Sequence, residues 1–335
     1  MRIALDVMGS DRGPAEIVSG GLAALRKFRD LELLLFGDQI TIESALDQHK
    51  ATRAQRARIE VVHTTQVVEM RDKIQTLRSK PDASLVRAVE AVREKRVDAL
   101  VEVGNTAATV AVTKFRLGTL DGVPRAGIAV PLPTLRGPCV VIDVGANTKP
   151  QPRHLAAYGL MASRYAEQIL GRSNPKVGLL NVGGEQGKGN DFLRKTYALL
   201  EEMPIDFAGN MEGSDIFRGR YSVVVCDGFV GNAVLKSAEG LASMFLHILR
   251  EELGRGPFVK FGAALCYKAF KNVKTRTDYT TYGGAPLLGV RGTVIIGHGR
   301  SDAVAISNAI RVARECILME LNDAIVGGLS SKSSS

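Results

Sequence analysis

The sequence predicts an α/β protein of three layers: a mainly parallel sheet with helices on both faces. Two observations carry this. Apolar runs of strand length alternate with segments of helical period throughout the 335 residues. Those runs are nearly unbroken Val, Ile and Leu, the pattern of strands buried on both faces.

The strands are read at Ile3–Val7, Leu31–Phe36, Ile59–His63, Ala99–Val103, Cys139–Val144, Val177–Val182, Val223–Cys226 and Val294–Ile296. Helices are read at Ala15–Phe28, Ala83–Arg96, Arg153–Leu170, Asp191–Glu202, Asn232–Leu253 and Ala303–Ile325. In Asn232–Leu253 the residues Leu235, Ala238, Leu241, Ala242, Phe245, Leu246, Leu249 and Leu253 share one helical face, which predicts a buried stripe. Pro124–Pro138 reads as an irregular crossing. With no Pro- or Ser-rich linker, residues 1–326 are expected to form a single two-lobed catalytic domain. Residues 327–335, rich in Gly and Ser, are expected to be a mobile tail.

Composition excludes several classes. No apolar run is long enough to span a bilayer, and Met1–Asp6 enters a strand without a secretory leader pattern, so a cytoplasmic location is expected. The cysteines at 139, 226, 266 and 316 have neither C-x-x-C spacing nor a nearby His, which points to buried thiols rather than a metal site. The net charge of +9 fits anionic partners, but an aromatic fraction of 5% without Trp argues against nucleic-acid stacking.

The loops after the strands are the informative feature. Six of them contain Gly: Met8–Pro14, Gly104–Ala108, Gly145–Thr148, Gly183–Asn190, Asp227–Asn232 and Gly297–Asp302. In an open parallel sheet such loops share one edge, and each opens a helix whose N-terminus attracts anions. They predict an edge that binds a small anion and stabilises a developing oxyanion. Gly183–Gly189 lacks the spacing and the Ser/Thr of a P-loop, and no G-x-G-x-x-G opens the first helix. Gly299-Arg300-Ser301-Asp302-Ala303 sits like a nucleophile elbow, but no His comes after Ser301.

At these loops the chain resembles the bacterial acyl-ACP:phosphate acyltransferase family. The matching pieces are Arg2–Gly9, Gly104-Asn105-Thr106, Asp143–Asn147, Val177–Gly183 with Lys188-Gly189-Asn190, Gly209-Asn210, Asp227–Lys236, Tyr282–Ala285 and His298-Gly299, in family order over residues 1–325. The chain departs from the family pattern at Gly9–Pro14, at Leu77–Ser84, and at Glu102, where a small residue is common. The resemblance implies the architecture shared by phosphotransacetylases and the isocitrate/isopropylmalate dehydrogenases. It implies transfer of a fatty acyl group from acyl carrier protein to inorganic phosphate for phospholipid synthesis, with no cofactor and no metal. Phosphate is already an anion at neutral pH, so the protein has to juxtapose two partners and stabilise the tetrahedral oxyanion.

That reading assigns roles to particular residues. Lys188, between glycines, is a cation for phosphate, oxyanion or leaving thiolate; a solvated surface lysine is the alternative. Asn232 and His298 complete the catalytic set, His298 as a proton donor to sulfur or a structural histidine. Gly9, Ser10, Asn105, Thr106, Asn147, Asn190, Asn210, Asp227, Gly228 and Ser301 are assigned to substrate and phosphate, with helix capping as the competing role for the Asn and Asp residues. Phe258, Lys260, Phe261, Lys268 and Lys271 lie in an amphipathic stretch, 257–273, within a segment of seven basic and two acidic residues from 250 to 276. That stretch is expected to meet an anionic membrane, the acidic carrier protein, or the second subunit of the homodimer usual in the family. A membrane-bound glycerol-phosphate acyltransferase is the implied recipient of the product; no nucleic-acid partner is expected. A short-chain phosphate acyltransferase, a decarboxylating dehydrogenase and a non-catalytic acyl- or phosphate-binding protein remain the alternatives.

Overall fold

The structure is a computed structural model and describes residues 1–277 and 282–330. Its first part contains β1 (Arg2–Asp6), α1 (Pro14–Lys27), β2 (Glu32–Gly37), α2 (Gln39–Gln48), α3 (Arg53–Arg56), β3 (Ile59–His63), α4 (Ser84–Arg93), β4 (Ala99–Glu102) and α5 (Thr106–Arg116). Then come β5 (Gly127–Thr134), β6 (Gly137–Ile142), α6 (Pro152–Gln168), β7 (Val177–Leu180), α7 (Asp191–Glu201), β8 (Phe207–Met211) and β9 (Val223–Val225). The chain ends with α8 (Gly228–Leu253), α9 (Gly256–Leu265), α10 (Tyr267–Thr277), β10 (Ala285–Leu288), β11 (Thr293–Ile296), α11 (Ala303–Leu318) and α12 (Leu321–Ser330).

One eleven-stranded sheet runs through the molecule in the order β3-β2-β1-β4-β11-β10-β5-β6-β9-β7-β8. Alternate residues along a strand feed the two faces. Ile3 and Leu5 join the core under α1, α6 and α11, while Ala4 and Leu34 join the core under α4 and α5. The three-layer expectation is met, with the central strands such as β4 and β9 buried between helices and the edge strands β3 and β8 partly exposed.

Strand direction corrects the expectation of a single loop-bearing edge. β3, β2, β1, β4 and β11 are mutually parallel, and so are β6, β9, β7 and β8. Between these halves β10 is antiparallel to β11 and β5, and β5 is antiparallel to β6. The halves therefore run in opposite directions. Register makes them meet: Ile296 pairs with Ala285, Leu287 with Ile128, and Ala129 with Ile142. The ends of β11 and β6 thus lie at nearly the same level along β5, and the two carboxyl edges face each other.

Other expectations are also corrected. Pro124–Pro138 is not an irregular crossing: β5 and β6 form a hairpin through it, and Pro131 and Pro133 are accommodated in β5. The apolar stripe of α8 is not buried. Only Gly228 and Gly231 of that helix are, and Leu241 and Phe245 are 64% and 59% exposed. Periodicity identifies an apolar face, not what covers it. Ala303–Ile325 is broken between α11 and α12 at Met319 and Glu320, whose φ of 48° is left-handed. The tail expected from residue 327 is corrected for residues 327–330: α12 continues to Ser330, and Gly328 is buried beside Leu160. Residues 331–335 lie outside the described residues. Cys139, Cys226 and Cys316 are buried, but Cys266 is exposed because it falls between α9 and α10.

Candidate active site

The facing edges enclose a cleft of about 430 Å3. The first half supplies Gly104, Thr106 and Ala107 at the start of α5, and His298 and Ser301 after β11. The second half supplies Gly145 and Thr148 after β6, and Gly228, Asn232 and Lys236 from the start of α8. Ile128, Val130 and Pro131 of β5 make an apolar wall. Of the residues singled out in sequence, Thr106, Gly228, Asn232, His298 and Ser301 are therefore brought together.

Their positions come from local chemistry. Asn105 caps α5, its Oδ1 accepting the Ala108 N–H at 3.0 Å, while Nδ2 donates to the carbonyls of Glu69, Met70 and Asp72, each at 3.1 Å. Thr106 and Ala107 line the cleft and stand in the first turn of α5, where backbone N–H groups have no intrahelical acceptor, a setting that suits an anion. Asp227 caps α8 by accepting the N–H groups of Phe229 and Val230. That helix starts hard against the loop after β6: a side chain at Gly228 would lie 2.6 Å from the Asn147 carbonyl, and Gly231 packs on the Asp143 carbonyl. Asn232 and Lys236, one turn apart, then project from the same face. Lys236 pairs with Glu239 at 2.9 Å.

The loop after β6 is organised by a fully buried carboxylate. Asp143 accepts N–H groups from Ile128, Gly145 and Ala146 on Oδ1, at 3.0, 3.2 and 3.0 Å, and from Asn147 on Oδ2 at 2.6 Å. Burial raises its pKa and these four donors oppose that rise. Asn147 is buried behind this loop, donating to the Ala126 carbonyl at 2.7 Å and to the Tyr158 hydroxyl at 2.6 Å and accepting from Arg125. After β11, the Arg300 N–H donates to His298 Nδ1 at 3.2 Å, so a neutral His298 carries its proton on Nε2. The His298 N–H donates to Ser301 Oγ at 3.1 Å.

The remaining candidates do not line the cleft. Gly9 and Ser10 lie behind it, Ser10 Oγ donating to the Gly299 carbonyl at 3.0 Å. Asn105, Asn147 and Asp227 serve as caps and braces. Asn190 caps α7 through the Leu193 N–H, and Asn210 is buried, donating to the Glu185 carbonyl at 2.8 Å and accepting from Asn181. Lys188 is exposed on the loop after β7, next to β9 in the sheet. Phe258 and Phe261 on α9 are 90% and 69% exposed, and Lys260, Lys268 and Lys271 are exposed on α9 and α10.

Sequence reasoning missed Lys236, Thr148 and Met70 as cleft residues. Lys236 was findable, since it lies one helical turn beyond Asn232. It also missed an apolar groove of about 1210 Å3 between α8 and the β5–β6 hairpin, walled by Leu132, Leu135, Phe217, Leu241 and Phe245. Leu235 and Glu239 line both groove and cleft, so the two spaces adjoin.

The chain has relatives that match it over nearly its full length. A family model described as "Fatty acid synthesis protein" matches residues 1–323. Curated relatives named phosphate acyltransferase include that of Desulfitobacterium hafniense, 46% identical over 95% of this chain and 94% of the relative. Those of Desulforudis audaxviator, 44% identical over 98% and 96%, and Aquifex aeolicus, 42% identical over 99% and 97%, are similar. The chain belongs to this family of phosphate acyltransferases. Membership defines the reaction class as acyl transfer. Among solved structures, a phosphotransacetylase from Streptococcus pyogenes superposes with a TM-score of 0.66 at 16% identity, covering 95% of this chain and 94% of that one. A 4-hydroxythreonine-4-phosphate dehydrogenase from Klebsiella pneumoniae gives 0.54 at 13%, covering 95% and 99%. At these identities the likeness concerns the fold alone. Among the described residues no helix is long and apolar enough to cross a membrane.

Proposed function

We propose that the protein transfers a fatty acyl group from the thioester of acyl carrier protein to inorganic phosphate, supplying acyl phosphate for phospholipid synthesis. The observation that carries this reading is the adjoining pair of spaces: a small cleft that holds Thr106, Asn232, Lys236, His298 and Ser301, for phosphate, and a larger apolar groove for the acyl chain. Phosphate sits against the Thr106 and Ala107 N–H groups with Asn232 and Lys236 opposite. One of its oxygens attacks the thioester carbonyl, and donors around it hold the tetrahedral oxyanion. As the C–S bond breaks, the departing sulfur accepts a hydrogen bond from His298 Nε2–H and takes the proton of the hydrogen phosphate. Acyl phosphate and the free thiol result. Lys188 joins from the neighbouring loop, closing over the phosphate between Gly187 and Gly189, whose φ values of 90° and 84° only glycine adopts freely.

The test is acyl phosphate formation, trapped with hydroxylamine, from carrier-bound acyl groups of increasing length. A groove that buries the chain raises kcat/KM by up to roughly fourfold per methylene, from about 0.8 kcal/mol each. Equal rates for acetyl and long-chain donors overturn the assignment of the groove.

The same reading extends to where the enzyme works. The protein acts in the cytoplasm as a homodimer, and α9 and α10 touch an anionic membrane or the acidic carrier protein through Phe258, Phe261 and the lysines Lys260, Lys268 and Lys271. Their exposure and the basic excess of 250–276 support this. Salt-sensitive flotation with anionic liposomes, lost in Phe261→Asp, is expected. Failure to float at low salt, with Phe261→Asp dissociating the dimer, assigns the segment to the subunit interface. The product passes to a membrane glycerol-phosphate acyltransferase.

A further inference from the structure

Directly beneath the first-half side of the cleft lie two carboxyl groups that the mechanism does not use. Asp6 ends β1 and Glu102 ends β4, the neighbouring strand, and both are buried. Each holds a loop by its backbone. Asp6 Oδ1 accepts the Met8 N–H at 2.9 Å, and Glu102 Oε1 accepts the Gly104 N–H at 2.6 Å. The loops also touch each other: a side chain at Gly9 would lie 3.0 Å from Glu102 Oε1 and 3.1 Å from Gly104 Cα. Gly104 itself lines the cleft.

Glu102 Oε2 is buried and meets no N–H or O–H donor. The polar side chain beside the Glu102 carboxyl is Asp6, and Glu102 Oε1 and Asp6 Oδ2 both lie within 4 Å of where a Gly9 side chain would begin. Two ionised carboxylates in a dry site repel, whereas one shared proton turns the repulsion into a hydrogen bond and satisfies Oε2. We propose that Asp6 and Glu102 are positioning residues that share one proton, and that this proton keeps the Gly9 and Gly104 loops in the geometry that receives phosphate. The inference rests on the assignment of phosphate to the cleft.

The surroundings leave the pair to itself. Ser84, at the start of α4, is the polar side chain beside Asp6, and its Oγ makes no hydrogen bond; β2 and β11 contribute Phe36 and Ile296 at the paired positions. The charged group acting on Glu102 is Asp6. Burial first, and then the Asp6 charge, push Glu102 well above its ordinary 4.5, and burial raises Asp6. A raised carboxyl binds its proton more tightly in the folded protein, so stability falls as pH rises from the ordinary value through the raised one. Loss of the proton puts a second negative charge under the phosphate and sets the loops against each other.

The experiment tracks two readouts against pH in wild type and Glu102→Gln, whose amide donates to Asp6 without titrating. The first, independent of activity, is hydrogen-exchange protection of the Met8–Gly9 and Gly104 amides, corrected for intrinsic exchange. Protection is expected to drop in wild type as pH rises beyond the ordinary carboxylate range and to stay level in Glu102→Gln. The second is the KM for phosphate. It is expected to rise roughly tenfold in wild type across the same range, the order of one added charge at a partly screened separation, and to stay flat in the variant. Protection that is level with pH in wild type overturns the shared proton. A pH-dependent protection without a matching change in KM keeps the proton but refutes its link to phosphate, and so the role proposed here. Absence of phosphate-dependent turnover altogether refutes the functional reading and leaves the exchange result standing separately. If Glu102→Gln does not fold, Asp6→Asn serves the same comparison.

Discussion

Removing the carboxylate of Asp143 is the most quantitative test of how the cleft is built. The group accepts four N–H bonds and is fully buried. In Asp143→Ala, Ile128, Gly145, Ala146 and Asn147 each lose their acceptor, and a buried donor left unpaired costs about 1–3 kcal/mol. Relaxation and water entry recover part of this, and the desolvation that raises the Asp143 pKa is no longer incurred. The expected net loss is about 3–5 kcal/mol. Asp143→Asn keeps Oδ1 with its three donors and turns an amide N–H2 toward the Asn147 N–H. One donor is then unpaired, and the expected loss is about 1–2 kcal/mol. Urea unfolding at neutral pH measures both, and the order is the critical feature. Because Gly145 and Thr148 line the cleft, kcat/KM for phosphate should fall in the same order. If Asp143→Ala unfolds within about 1 kcal/mol of wild type, the loop is held by something else and the reasoning fails.

Asn232→Ala should lower kcat/KM by roughly 10², the scale of one preorganised donor, with unchanged thermal stability because the side chain is exposed in the cleft; unaltered kinetics would remove it from the site. Lys188→Ala should have a comparable kinetic effect if its loop closes over phosphate, again without loss of stability, and wild-type kinetics would leave it a surface lysine. Asp72 is held below its ordinary 3.8 chiefly by the Lys80 ammonium at 2.6 Å, with help from the Glu69 N–H. A depressed carboxyl stabilises above its unfolded pKa and loses that contribution as pH falls through the folded one. Tm measured from neutral to acid pH should therefore decline less in Asp72→Asn than in wild type, and identical slopes would count against the pair.

The sequence made the parallel strands legible because Val, Ile and Leu run unbroken there, as in Cys139–Val144, which overlaps β6 at residues 139–142 and is shifted from it by two residues at each end. It misled at Pro131 and Pro133, where local proline preference suggested a crossing and tertiary pairing with β6 made a strand. Strand direction was not legible, because the sense of β5 and β10 depends on partners far away in sequence. Hence the loops were placed on one edge rather than two. Thr106, Asn232, His298 and Ser301 line one cleft, a juxtaposition legible because Gly-rich turns betray close backbone approach. Asn190 and Asn210 were overread, since a capping Asn and a ligand-binding Asn have the same local signature. Lys236 was missed because the motif was taken to end with its loop at Asn232, although the helix read from that residue puts Lys236 on the same face one turn further on.

The place of β11 in the sheet has a consequence for how the molecule comes into being. This strand, residues 293–296, inserts between β4 and β10, and α11 packs on α1 from the opposite end of the chain. A nascent chain emerging from the ribosome can pair β1, β2, β3 and β4 early, but the outer side of β4 stays open until almost everything has been made. His298 and Ser301 arrive directly after that strand, so the polar cleft closes last. Synthesis, closure of the sheet and competence to bind an anion thus become one late event. A chain halted before β10 carries an unpaired edge on β4 and another on β5, and no half-working site. For such a chain chaperone retention or degradation is the expected fate, and the long-range pairing that delays folding also acts as a check on completeness.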